Sequence, residues 1–125
     1  MGRRKGVPRS PRARRKAVAA ASQKASLMAR IELLPDVFED LDRIFDHLAQ
    51  HDIEGTRARI AEILAAIDVL ATNPQIGRPA REDRRELVIG AGSRGYVALY
   101  AYVLELDAVF ALALRARKES GYKHV

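Results

Sequence analysis

The sequence predicts an α+β domain: a helix hairpin packed on one face of a small, mainly antiparallel sheet, in the order β–α–α–β–β–β. Three observations predict it. Residues 35–72 hold two stretches with apolar residues at helical spacing. Residues 85–114 hold three stretches rich in aromatic, β-branched or continuous apolar residues, separated by turn sequences. A short alternating segment, MARIELL at 28–34, precedes them and stops at Pro35.

Each element has a local reason. Residues 28–34 read as a first strand. Pro35 and Asp36 open a helix, with Pro tolerated in the first turn and Asp36, Glu39 and Asp40 near its positive end. Val37, Phe38, Leu41, Ile44, Phe45 and Leu48 form its apolar stripe, which ends near Gln50. A second helix is predicted over 54–72, with Ile60, Ile63, Leu64, Ile67, Leu70 and Ala71 as its stripe. Asn73-Pro74 ends it, because a residue before proline is pushed out of the helical region. Residues 73–84 read as a loop with two prolines and Gly77. Residues 85–89, 96–103 and 108–114 then read as a strand meander. The last strand is apolar at every position, as expected of a strand buried on both faces.

The chain has 125 residues, enough for one core, and 48% are apolar. It has no cysteine, which excludes disulfides, a thiolate nucleophile and cysteine metal ligands and fits a cytoplasmic protein. No apolar run approaches the roughly 18 residues of a membrane span. Charge is segregated. Residues 1–26 carry nine Lys/Arg and no acid, so of the 22 bases only 13 remain against all 16 acids, a net −3. The chain therefore divides into a basic extension, 1–27, and a mildly acidic domain, 28–125. The extension lacks aromatics and has too little apolar surface to order itself. It reads as an upstream extension before a start at Met28, or as a basic arm that holds phosphates loosely. Its Ala17–Ala21 run is too short for a secretory signal.

Four runs carry a family resemblance. They are NPQIGRP at 73–79, RELVIG at 85–90, GYVALY at 95–100 and LALRARKESGY at 112–122. In this order and spacing they resemble the RelE/ParE toxin superfamily of type II toxin–antitoxin systems, and ParE-like plasmid stabilisation toxins in particular. The resemblance spans about residues 28–124. It implies the same fold, a cognate antitoxin that masks the toxin in a hetero-oligomer, and one of two activities. RelE-type members cleave mRNA on the ribosome; ParE-type members inhibit DNA gyrase.

Cleavage through a 2′,3′-cyclic phosphate needs activation of the 2′-hydroxyl, cations for the extra charge on phosphorus, and a proton for the leaving oxygen. The resemblance implies that RelE-type toxins supply these from lysines and arginines on the middle strands, an arginine ending the last strand, and a C-terminal tyrosine. Here the middle-strand positions facing away from the helices are Glu86 and Val88, and Val97 follows the Gly-Tyr pair. Only Arg115, Arg117 and Tyr122 remain as catalytic candidates, with Arg85, Arg81 or Arg84 as substitutes from the loop side. His47 and His51 read as surface residues.

Gyrase inhibition requires anchors rather than a catalytic set, and Arg and Tyr serve best. Candidate target- or partner-binding residues are Arg78, Arg81, Arg85, Arg94, Tyr96, Tyr100, Arg115 and Arg117. Each has a structural alternative. Arg78 can tie down its loop, Arg85-Glu86 can be an edge-strand pair, and Arg115 can bridge to a carboxylate. Tyr96, Tyr100 and Tyr102 share a strand face and can be core residues with a polar tip. Because the domain is net acidic, apolar contacts are expected to outweigh charge at the antitoxin interface. Two rival classes are a small nucleic-acid-binding module and an inactive family member. No phosphate loop, paired-carboxylate signature or His cluster suggests a cofactor or metal.

Overall fold

The computed structural model describes residues 28–123; the basic extension 1–27, His124 and Val125 lie outside them. Pro35 sets the first boundary. Leu34 is extended (φ −76°, ψ 159°), as a residue before proline prefers, so strand β1 (Arg30–Leu33) ends and helix α1 (Pro35–Ala49) begins. Helix α2 (Ile53–Asp68) follows and tightens into a 3-10 turn, Val69–Ala71, before Asn73-Pro74. Strands β2 (Arg78–Pro79), β3 (Arg84–Ile89), β4 (Tyr96–Val103) and β5 (Ala108–Ala116) complete the chain. The sheet order is β1-β5-β4-β3-β2. All pairings are antiparallel except β1 with β5. The predicted architecture is observed, with two changes. Part of the 73–84 loop pairs as β2, and the last strand runs to Ala116, so Arg115 lies inside it.

Both helices cover one face. Ile44 of α1 and Ile63 and Ile67 of α2 pack on Ile89, Tyr96, Ala98 and Leu114. A second cluster joins Leu70, Tyr100, Val109 and Ala29. Burying each large apolar side chain contributes roughly 1.5–3 kcal/mol. Val109 and Leu114 are an odd number of positions apart yet both sit in these clusters. A bulge explains it: Leu99 pairs with Ala113 and Tyr100 with Ala111, so Leu112 is an extra residue that resets the alternation. Phe38, placed in the α1 stripe by spacing, is 53% exposed, since the sheet contacts a narrower face of the helix than the stripe spans. Its neighbour Asp40 is fully buried instead.

Asp40 is buried because β5 outruns β1. The β1 pairing stops at Leu33 with Ala111, and the Leu34 N–H closes it by donating to the Ala111 carbonyl. Beyond that point α1 takes over the ladder. Asp40 Oδ2 accepts the Leu114 N–H at 2.8 Å, and Arg43 Nη2 donates to the Leu114 carbonyl at 3.3 Å. The same guanidinium pairs with Asp40 (3.3 Å) and with Glu119 (2.7 Å), whose Oε1 also accepts the Ala116 N–H. Three side chains thus replace a missing strand.

At the other edge, the loop before β2 lies against Tyr100, whose hydroxyl accepts the Gly77 N–H at 2.9 Å. A Cβ on Gly77 would lie 2.7 Å from the Tyr100 ring and 2.8 Å from the Glu86 carbonyl, so only glycine fits. Two outcomes are expected in urea denaturation. Asp40→Ala strands a buried N–H and lowers stability by about 2–3 kcal/mol. Gly77→Ala destabilises by about 1–3 kcal/mol through overpacking, whereas Ala80→Gly in the same loop has a smaller effect.

Candidate functional site

The face of the sheet away from the helices brings together Arg78, Glu86, Arg115 and Tyr122 of the residues singled out by sequence. Glu86 sits at its centre on β3. On one side Arg78, from β2, donates to Glu86 Oε1 at 3.1 Å. On the other side the Tyr122 hydroxyl donates to Glu86 Oε2 at 2.6 Å. Burial, and then the carboxylate that holds its proton, push the Tyr122 hydroxyl well above the usual phenol range. The Arg115 guanidinium lies 5.1 Å from the centre of the Tyr122 ring. Its Nη1 donates to the carbonyls of Ala116, Arg117 and Glu119 at 3.1–3.2 Å. Beneath this cluster Val97 and Leu99 are buried.

Chemically, the cluster is a brace. Both Glu86 oxygens are engaged, the tyrosine proton is committed, and Arg115 commits its Nη1 to the segment that follows it, while its buried Nε has no hydrogen-bond partner. A fully engaged carboxylate, not a cation, stands at the centre of this cluster. The candidate Arg117 is exposed beside this segment, and its N–H closes the loop by donating to the Gly95 carbonyl.

The remaining candidates fall elsewhere. Arg85 faces the loop and donates to the carbonyls of Gln75 and Gly77, so Arg78, not Arg85, is the partner of Glu86. Arg81 is exposed in the β2–β3 connection. Tyr100 has no exposed surface and is a core residue rather than an anchor; its hydroxyl serves Gly77. Tyr96 is 5% exposed and forms part of the floor of a groove, with Arg94 on the rim. This groove, of about 700 Å³, opens between the α1–α2 turn, the start of β4 and the segment after β5. His47 and His51 line it, their rings 6.4 Å apart in an edge-to-face arrangement.

Sequence reasoning missed Asp40, Arg43 and Glu119. One signal was available: Asp40 lies three residues after Val37 and four before Ile44, within the apolar stripe, where a carboxylate must find partners.

A family model described as the ParE toxin of type II toxin–antitoxin systems, parDE, matches residues 31–121. The chain belongs to the ParE toxin family. No curated protein matches it. Two solved structures share the fold of this ParE family member. One is the chromosomal ParDE system of P. aeruginosa, at 19% identity and TM-score 0.62, covering 71% of this chain and 96% of that one. The other is the RelBE2 toxin–antitoxin complex of Mycobacterium tuberculosis, at 15% identity and TM-score 0.53, covering 74% and 95%. Among the described residues no helix is long and apolar enough to cross a membrane.

Glu119 offers a pH test. Burial alone would raise its pKa, but Arg43 and the Ala116 N–H outweigh that and hold it below the ordinary carboxylate value. A carboxylate depressed on folding stabilises the fold above its unfolded pKa and loses that contribution as pH falls through the folded value. Glu119→Gln is therefore expected to lower Tm at pH 7, and the gap from the wild-type chain should close as the pH is taken from about 5 to below 4.

Proposed function

We propose that this ParE family member is the toxin of a type II toxin–antitoxin pair, that it arrests growth by binding DNA gyrase without cleaving a substrate, and that a cognate antitoxin neutralises it. The observation that carries the non-nucleolytic part is the Arg78–Glu86–Tyr122 arrangement. RNA cleavage would need an available base, an available acid and uncompensated cations on that face. This chain presents a carboxylate with two partners and a tyrosine whose proton is held. The family model supports the ParE-type reading over the RelE-type one. The best candidates for the gyrase-contacting surface are exposed cations around the brace, Arg78 and Arg117, with Arg115 and Tyr122 positioning the segment that carries Arg117. Residues 28–125 are proposed as the toxin domain and 1–27 as an extension dispensable for the activity.

Supercoiling by purified bacterial gyrase, titrated with the full chain, tests this. Inhibition is expected, weakened at least tenfold by Arg115→Ala in a chain that keeps its circular dichroism spectrum. Tyr122→Phe retains the ring under Arg115 and is expected to inhibit nearly as well, whereas a nuclease using that hydroxyl would lose its activity. No inhibition at high excess, together with mRNA cleavage on ribosomes, would overturn the proposal.

A further inference from the structure

The helix layer has two sides, and the core uses only one. Val37, Asp40 and Ile44 of α1 and Thr56, Ile63 and Ile67 of α2 are buried toward the sheet. On the opposite side α1 presents Asp42 and Asp46, and α2 presents Glu54, Glu62 and Asp68, all exposed. None of these five makes an ion pair among the described residues. Residues 35–68 hold nine Asp/Glu against three Lys/Arg, a net −6, more negative than the domain as a whole. Arg43 is paired with Asp40 and Glu119, and Arg59 donates to the Arg94 carbonyl, so of the three bases Arg57 alone is exposed. Between the acids the surface is apolar and shallow. Ala58, Ala61 and Ala65 are exposed on α2, Phe38 on α1, and Val69 at the end of α2.

We infer that this outer helix face is the docking surface of the chain's own basic extension, residues 1–27. Three observations choose that occupant. The first is charge: residues 1–26 carry nine Lys/Arg and no acid, against the net −6 of the helix layer. The second is where the chain enters. The Ala29 N–H donates to the Ala71 carbonyl at 2.6 Å, so the extension joins the domain beside the end of α2, next to Asp68 and Val69. The third is residue order. Lys24 lies four residues before Met28, within about 13 Å of extended chain; Ala17–Ala21 precedes it, and Arg12, Arg14, Arg15 and Lys16 precede that run. The 16 residues of α2 span about 24 Å, and twelve residues of extension reach about 40 Å. Lys24 therefore meets Asp68, Ala17–Ala21 covers the alanine row of α2, and Arg12–Lys16 reach Glu54 and Asp46 at the far end. Covalent attachment raises the local concentration of such a segment to about the millimolar range, so individually weak ion pairs suffice. A second copy of the domain would set like charges against one another. A nucleic acid is repelled by this face and competes for the extension instead. The face lies on the layer opposite the brace, so the inference stands apart from the toxin reading and agrees with an extension that the activity does not need.

Carbodiimide coupling of lysine amines to carboxylates in the full chain, with the joined peptides identified by mass spectrometry, tests the inference. Lys16 and Lys24 are expected to join Asp42, Asp46, Glu54, Glu62 or Asp68 of the same chain. The yield should fall at least threefold as salt is raised from 50 to about 500 mM. A helix-face variant, Asp42→Asn with Glu54→Gln and Asp68→Asn, changes three exposed side chains and should keep its circular dichroism spectrum. It is expected to speed tryptic cleavage after Arg14 and Arg15 at least threefold. It should also bind a labelled single-stranded oligonucleotide at least fivefold more tightly, because the cations of the extension are released. A control of equal charge, Glu82→Gln with Asp83→Asn and Glu105→Gln, alters exposed acids on the strand-connecting loops and should do neither. Lysines of the extension that couple only to acids outside the helix layer, or only to a second chain, would overturn the inference. So would cleavage equally fast in the wild-type chain and the helix-face variant, or equal oligonucleotide affinity in the helix-face variant and the control.

Discussion

The outer edge of β5 has to be satisfied beyond the point where β1 ends, and much of the structure follows from how that is done. A buried backbone N–H or carbonyl left without a partner costs about 1–3 kcal/mol, so an unpaired stretch of central strand must be covered. Asp40 and Arg43 cover it with a carboxylate and a guanidinium aimed at Leu114. This fixes α1 against the sheet, sets the depth at which Ile44 enters the core, and explains why the helix turns an acid inward and Phe38 outward.

The same guanidinium reaches Glu119, which ties the segment after β5 to the helix layer. Arg115 holds that segment from the opposite face through the Glu119 carbonyl. Residues 116–123 are consequently clamped from both sides of the sheet, with Tyr122 seated on Glu86. The groove and the brace are thus neighbours through a few residues of backbone, though one lies on the helix side and the other on the open side.

Charge is distributed by layer. The open face pairs Arg78 with Glu86, the outer α1 surface is acidic, and Arg59, Arg94 and Lys118 line the groove beside an Arg43 that is already paired. A net charge for the domain hides all three. Partner choice depends on local potential within about a Debye length, roughly 8–10 Å, so it is the local pattern that matters.

The sequence by itself determined the elements, because apolar periodicity and proline positions are local properties. The first strand (read at 28–34, observed at 30–33), the hairpin, the meander and the departure at Glu86 were legible, and so was the family resemblance. Tertiary structure alone decided which residues meet across the chain. Asp40 with Leu114, Arg43 with Glu119 and Glu86 with Tyr122 are separated by 36 to 76 positions, and no local pattern encodes such pairs. It also decided that Tyr100 is core, that Arg85 serves a loop, and that two residues of a proline loop pair as β2. Each depends on how far one strand outruns its neighbour or how closely a loop approaches a ring, and those distances exist only once the sheet has formed.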